Sequence, residues 1–295
     1  MSDEQPILGF VGVGVMGEGM CRNLALKSGH QVLAFDTCYE NLQRLAQHGV
    51  KPTVSIDALQ QKAQVVFLSL PSIEQVEDVC FGAHPLITLG TSIKTVVDMS
   101  TSDVQRSRAL AKKLAAYGVN FLDAPVARSR EAASNGTLLI TVGGDDHVFE
   151  RVEPLLRCMG SDVVHCGGIG AGQVVKIMNN MVLLSTVNAL AEAMAIGSAA
   201  GVDKSTLVKV LKLGSADSYA LRLTGEKYLA RDDFPEKMFP TAYALKDMRL
   251  ALRLAEEFGI KPALATSTAN IFDQAVSCGY GMNYYPVIYR LIKAI

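Results

Sequence analysis

Two groups of residues have the types and spacing to do chemistry. The first is Gly12-Val13-Gly14-Val15-Met16-Gly17, with Asp36 nineteen residues after Gly17. In such a turn Gly12 permits the tight bend, Gly14 lets backbone approach a pyrophosphate, and Gly17 lets helix and strand close together. The free N–H groups of a helix starting near Met16 would face the phosphates, and an acid at about this distance would accept from ribose hydroxyls. The second group is Lys176 and Asn180, one helical turn apart. Lys176 is the one cation in the apolar stretch 171–201. Such a lysine can snorkel to the surface beside an amide that satisfies a carbonyl. It can also transfer a proton, because burial disfavours its charged form.

Small-residue turns also arise for packing alone, so context decides. Residues 7–11 are an apolar run ahead of the glycines. A helical pattern follows to Ala25 and closes at Ser28-Gly29, and a second apolar run, 31–35, leads directly to Asp36. That strand–turn–helix–strand context marks a dinucleotide-binding unit. Asp36 would repel a 2′-phosphate, and no Arg or Lys follows before Arg44. NAD, not NADP, is therefore the expected cofactor.

Strand and helix signals then alternate, as in a parallel sheet with crossover helices. Residues 65–68 lead into Ser69-Leu70-Pro71, and residues 95–99 into Ser100-Thr101-Ser102. These two loops are expected to touch the middle and the nicotinamide end of the cofactor. Ser102 with Gln105 reads as a capping box for a helix to about Tyr117. Strands are expected at 120–122, 138–142 and 163–166, with a helix at 145–159, before the glycines at 167, 168 and 170. The stretch 171–201 would span about 45 Å as a helix. Its longest charge-free run, 177–191, is shorter than the ~20 residues a bilayer needs. Helices are then expected at 204–213, 218–229, 241–258, 262–278 and 285–295. The fold class is α/β: a Rossmann-type dinucleotide-binding domain over 1–168, then an all-helical domain over 169–295, joined by the long helix. The cleft between such domains is the default site.

The chain has 295 residues, 49% hydrophobic and 19% charged, with 28 Lys+Arg against 29 Asp+Glu. That length favours two cores, and the charge balance, without basic runs, favours a small-molecule partner over nucleic acid. The six cysteines form no CxxC and the five histidines no HxxxH, so no metal is expected. The acidic start lacks the basic flank of a secretory signal. A cytoplasmic protein with reduced thiols is the expectation.

With these residues in view, the chain resembles the β-hydroxyacid dehydrogenase family, which includes 3-hydroxyisobutyrate dehydrogenase, tartronate semialdehyde reductase and sulfolactaldehyde reductase. The resemblance spans essentially the whole length through GFVGVGVMG (9–17), DAPV…GTL (123–138), GAGQVVKIMNN (170–180) and LKDMRLAL (245–252). It implies that Lys176 is the catalytic lysine and that Asn180 helps position substrate. It also implies that Asn179 and Lys246 border the substrate, Lys246 reaching the cofactor as well. The residues agree: no histidine follows position 165, and the Tyr-x-x-x-Lys spacing occurs only as Tyr289 and Lys293, far from the glycine loop in sequence.

One departure is informative. The family's SGGxxGA reads Ala127-Arg128-Ser129-Arg130-Glu131-Ala132-Ala133 here. In the family the serine and glycine backbone hold the substrate carboxylate, so Ala127, Arg128 and Ser129 are expected to line that position. Arg128 is expected either to fill the pocket or to reach a distal anion in it, or else to turn to solvent or to a loop acid such as Glu131; a similar replacement is a feature of the sulfolactaldehyde reductase branch. The expected activity is NAD-dependent interconversion of a small β-hydroxy acid and its semialdehyde by a homo-oligomer, dimer or tetramer. Sulfolactaldehyde or tartronate semialdehyde reduction, imine reduction on the same scaffold, and cofactor binding without catalysis remain alternatives.

Overall fold

The computed structural model describes residues 6–236 and 238–293. The chain divides after Lys176 into two compact units. The division falls inside the long helix, later than the expected boundary at 168, because the first turn of that helix is bonded into the first unit.

Among the described residues the first unit holds one nine-stranded sheet. Its strands are β1 (Leu8–Val11), β2 (Val32–Phe35), β3 (Lys51–Pro52), β4 (Val65–Leu68), β5 (Thr95–Asp98), β6 (Asn120–Asp123), β7 (Val126–Ala127), β8 (Leu138–Gly143) and β9 (Gly160–Gly167). The order is β3-β2-β1-β4-β5-β6-β8-β7, with β9 also on β8. Strands β1 to β6 pair in parallel, while β8 runs antiparallel to β6 and β7 and parallel to β9. Crossovers are made by α1 (Gly17–Lys27), α2 (Tyr39–Ala46), α3 (Asp57–Lys62), α4 (Ile73–Phe81), α5 (Val104–Ala115) and α7 (Asp146–Arg157), while α6 (Arg130–Asn135) links the antiparallel neighbours β7 and β8. The 3-2-1-4-5-6 order is the Rossmann arrangement, with ligands bound beyond the carboxyl ends of the strands.

Both faces of this sheet are covered. Leu8, Phe10, Phe67 and Val97 enter one apolar cluster, whereas Val11, Val66, Leu68 and Val96 enter another. Alternate side chains point to opposite faces, so strands buried on both sides read as unbroken apolar runs.

The long helix α8 (Ala171–Ala199) runs from the first unit into the second. It is the one described helix long and apolar enough to cross a membrane. In the second unit Leu184, Val187, Ala191 and Met194 join a core with Val208, Leu221, Met248, Phe272, Tyr285 and Tyr289. The remaining elements are α9 (Lys204–Leu213), α10 (Tyr219–Thr224), α11 (Thr241–Glu257), α12 (Ala263–Ala275) and α13 (Tyr289–Lys293).

Three expected helices are interrupted. Helix α10 passes into a wide turn over Gly225–Leu229, closed by Ala230 N–H donating to the Gly225 carbonyl at 2.9 Å. Gly225 packs where a Cβ would meet the Val208 side chain at 2.9 Å. Helix α12 ends in a similar turn, Val276–Tyr280, where Gly279 takes φ 88°. Tyr285–Ile288 is a 3₁₀ turn started by Pro286, and residues 294–295 of the last expected helix lie outside those described. The capping box also needs correction: Asp103, not Ser102, caps α5 by accepting from Arg106 N–H, and the Ser102 hydroxyl donates to buried Asp98 at 2.8 Å.

Candidate active site

The glycine loop joins β1 to α1. Gly12 has φ +87°, and a Cβ there would lie 2.3 Å from the Ser69 carbonyl oxygen; at Gly17 it would lie 2.0 Å from the Gly12 oxygen. Both positions close the turn. Gly14 is different: a Cβ there would meet nothing within 4 Å, and Val15 beside it is exposed. The α1 N-terminus, with Met16 as N-cap, carries no side-chain cap, a property it shares with α2, α3, α11 and α12. An uncapped helix start beside an open glycine suits a phosphate group, so the loop fits a dinucleotide.

Asp36 follows β2 and reaches the loop directly. Its carboxylate accepts from Val13 N–H at 2.6 Å and from Cys38 N–H at 2.7 Å. Each oxygen keeps a further lone pair, so the acid can still accept from a ribose hydroxyl. Arg44, the nearest following cation in sequence, is spent elsewhere: it donates to Glu18 at 2.8 Å and to Asn41 at 2.6 Å. The Arg44 guanidinium holds the Glu18 carboxyl below its ordinary range.

The loops after β4 and β5 are tied together by Leu70 N–H, which donates to the Ser100 hydroxyl at 2.9 Å. Ser69 and Leu70 are partly buried, Pro71 is exposed and Thr101 is partly buried. Beneath them lies a polar network the sequence reading did not single out. Asp98 and Asp123, at the ends of β5 and β6, are both fully buried. Asp98 accepts from Ser100 N–H at 2.9 Å and from the Ser102 hydroxyl. Asp123 accepts from Gly170 N–H at 2.6 Å and Gln173 N–H at 2.8 Å, capping the start of α8. Burial pushes the Asp123 carboxyl up to about 7, with the charge of Asp98 adding to the shift and the two N–H donors opposing it. Acids ending apolar strand runs were the available signal.

Lys176 lies on α8, partly buried, and Asn180 lies one turn further, 3% exposed. Exposed Asn179 donates to the Asn180 oxygen at 3.0 Å. The Asn180 amide nitrogen donates to Asp247 on α11 at 2.6 Å. Asp247 is 3% exposed, and the Lys246 ammonium stands 3.4 Å from its other oxygen. Asp247 was also missed, although an acid on the buried stripe Ala244, Leu245, Met248, Ala251 is conspicuous in the helical pattern.

At Arg128 the structure departs from the expected anion reader. Its guanidinium donates to the Thr137 carbonyl at 2.7 Å and the Ser161 hydroxyl at 2.9 Å, and pairs with Asp162 at 2.8 Å. All of its outward reach is directed to β9 and the turn before β8. The partner is an acid distant in sequence, not Glu131. Arg128 also holds φ 86°, the left-handed conformation for which the family's glycine is suited. Ala127 is buried on β7, and exposed Ser129 caps α6.

Residues 7–168 match the family described as NAD binding domain of 6-phosphogluconate dehydrogenase, and residues 170–292 the family described as NAD-binding of NADP-dependent 3-hydroxyisobutyrate dehydrogenase. Among curated relatives, 2-hydroxy-3-oxopropionate reductase of Escherichia coli K12 is 33% identical over 272 residues, covering 92% of each chain. The 2-(hydroxymethyl)glutarate dehydrogenase of Eubacterium barkeri is 32% identical over 274 residues, 93% of this chain and 90% of that protein. The structure of Mycobacterium tuberculosis 3-hydroxyisobutyrate dehydrogenase with L-serine superposes with TM-score 0.86 at 29% identity, over 98% of this chain and 99% of that one.

Arg128→Gly should change stability by less than about 1 kcal/mol. Relief of the left-handed backbone, ~1–2 kcal/mol, opposes the loss of a solvent-screened surface ion pair and the added freedom of glycine, ~0.5–1 kcal/mol. Urea denaturation measures this, and a loss beyond about 2 kcal/mol would show that the Asp162 pairing holds the loop more strongly than argued.

Proposed function

This chain belongs to the β-hydroxyacid dehydrogenase family, and we propose that it interconverts a small β-hydroxy acid and its semialdehyde with NAD. It is an oxidoreductase acting on a CH–OH group with a nicotinamide dinucleotide. The observation carrying the finer reading is the Lys176–Asn180 pair, one turn apart on α8, with the Asn180 amide held at 2.6 Å by buried Asp247. An amide whose N–H is committed to a carboxylate has a fixed orientation, as a group that positions substrate requires. The curated relatives act on small hydroxy acids by their names, which supports the substrate class.

Gly12, Gly14, Val15, Met16 and Gly17 would hold the pyrophosphate, and Asp36 the adenosine ribose. Ser69, Leu70 and Pro71 would line the middle of the cofactor, and Ser100 and Thr101 its nicotinamide end. When bound, the nicotinamide exchanges a hydride with the substrate carbinol carbon. Lys176 Nζ takes the hydroxyl proton during oxidation and returns it during reduction. Asn180 orients the reacting oxygen, and Asn179 and Lys246 border the substrate. Ala127 and Ser129 shape the carboxylate-facing loop, with Arg128 as the strut that fixes it. Lys176→Ala should retain NADH binding and lose turnover by roughly two to four orders of magnitude. Near-normal kcat in that variant, measured by NADH absorbance, would remove Lys176 from the chemistry.

NAD is favoured over NADP because Asp36 would face the adenosine ribose and Arg44 is bound to Glu18 and Asn41. A 2′-phosphate would meet a carboxylate with no free neighbouring cation from this segment. The ratio of kcat/KM for NADH over NADPH should exceed about tenfold, the scale of ~1.4 kcal/mol. Preference for NADPH would reassign Asp36.

The protein is also read as a cytoplasmic homo-oligomer. All six cysteines are free thiols, which suits a reducing compartment. Val182, Ala189, Ala193 and Ile196 are exposed and, with half-buried Thr186, form an uncharged stripe on α8, Val182 being 60% and Ile196 69% exposed. Spacings of four and three residues suit packing against another helix. Sedimentation at micromolar concentration should give a dimer or larger, and Val182→Glu with Ile196→Glu should yield monomer. A monomeric parent protein would refute self-association.

A further inference from the structure

The side chain of Gln173 is fully buried in the first turn of α8, and its amide is used at both ends. Oε1 accepts from Ser102 N–H at 2.9 Å, and Nε2 donates to the Ser100 carbonyl at 2.8 Å. Its backbone N–H donates to Asp123 at 2.8 Å. One residue therefore joins the α8 start to β6 and to the loop after β5. Through the Ser100 hydroxyl, which accepts from Leu70 N–H, that connection continues to the loop after β4. Lys176 follows three residues later on the same helix.

We infer that Gln173 is a positioning residue: it holds the helical turn bearing Lys176 in register with the Ser100–Ser102 loop. The inference rests on the reading of Lys176 as the proton-transfer residue. In a helix each residue advances by about 100°, so a small slip or rotation of the first turn displaces the lysine relative to anything held by that loop. An apolar side chain could fill the same volume. It could not bond a donor and an acceptor of the loop backbone at once, and that pairing sets both distance and rotation. Misplacement by about 1 Å can cost on the order of a hundredfold in rate with binding little changed.

A double-mutant cycle tests this, using the full-length enzyme with NADH and the best semialdehyde substrate. Gln173→Met should keep the NADH Kd within about twofold and lower kcat roughly 10- to 100-fold. With 4-deuterated NADH the isotope effect on kcat should rise as the chemical step becomes limiting. In a Lys176→Ala background the same change should cost less than about threefold, because a residue acting through the lysine has little left to position. Equal losses in both backgrounds, or no loss in either, would overturn the inference. If Gln173→Met does not fold, the same cycle is run with Gln173→Glu, which keeps the acceptor for Ser102 N–H and loses the donor to Ser100. Near-normal turnover of Lys176→Ala alone would instead overturn the reading of the lysine, so the two failures are distinguishable.

Discussion

The carboxylate of Asp123 receives the N–H groups of Gly170 and Gln173 in a place with no access to water, and the path of α8 depends on that contact. Desolvating a carboxylate costs several kcal/mol, and two short backbone bonds to its charged form offset part of that cost. The geometry needs room on every side. A Cβ at Gly143 would sit 2.5 Å from Asp123 Oδ1, and one at Gly172 would sit 2.5 Å from the Thr141 carbonyl oxygen. Two glycines and one acid thus bring a helix start onto the ends of β6 and β8. Lys176 inherits its place from this arrangement.

The other end of the sheet's carboxyl edge uses a carboxylate in a more open setting. Asp36 organises the glycine loop through Val13 N–H and its own turn through Cys38 N–H. Its charge is thereby stabilised while one face remains available. The same contact that shapes the loop places a negative charge directly against its backbone. Electrostatics and loop geometry are one feature here. In the second unit Asp247 does related work, orienting an amide from within an apolar helix stripe.

Much of the fold was legible because its causes are local. Strands buried on both faces leave unbroken apolar runs, and Gly12 and Gly17 mark a turn that no side chain could enter. The helical breaks after α10 and α12 were harder to read, since neither Gly225–Leu229 nor Val276–Tyr280 contains a proline. Ser102 was misjudged as a cap because its hydroxyl goes to Asp98, a partner four residues back on a strand. Nothing in a local pattern weighs a buried strand acid against a helix N–H.

By itself the sequence determined the glycine turn, the acid after the second strand, the lysine and amide at helical spacing, and the order of an α/β unit before a helical one. These follow from spacing along the chain, and backbone periodicity converts spacing directly into position. Only the tertiary structure decided what each polar side chain bonds to. It paired Arg128 with Asp162, Asn180 with Asp247, and Gln173 with the loop after β5. Those partners are 34, 67 and 71 residues apart. Such contacts depend on which strand ends and helix turns are brought together, and hydrogen bonds are decided within a few tenths of an ångström.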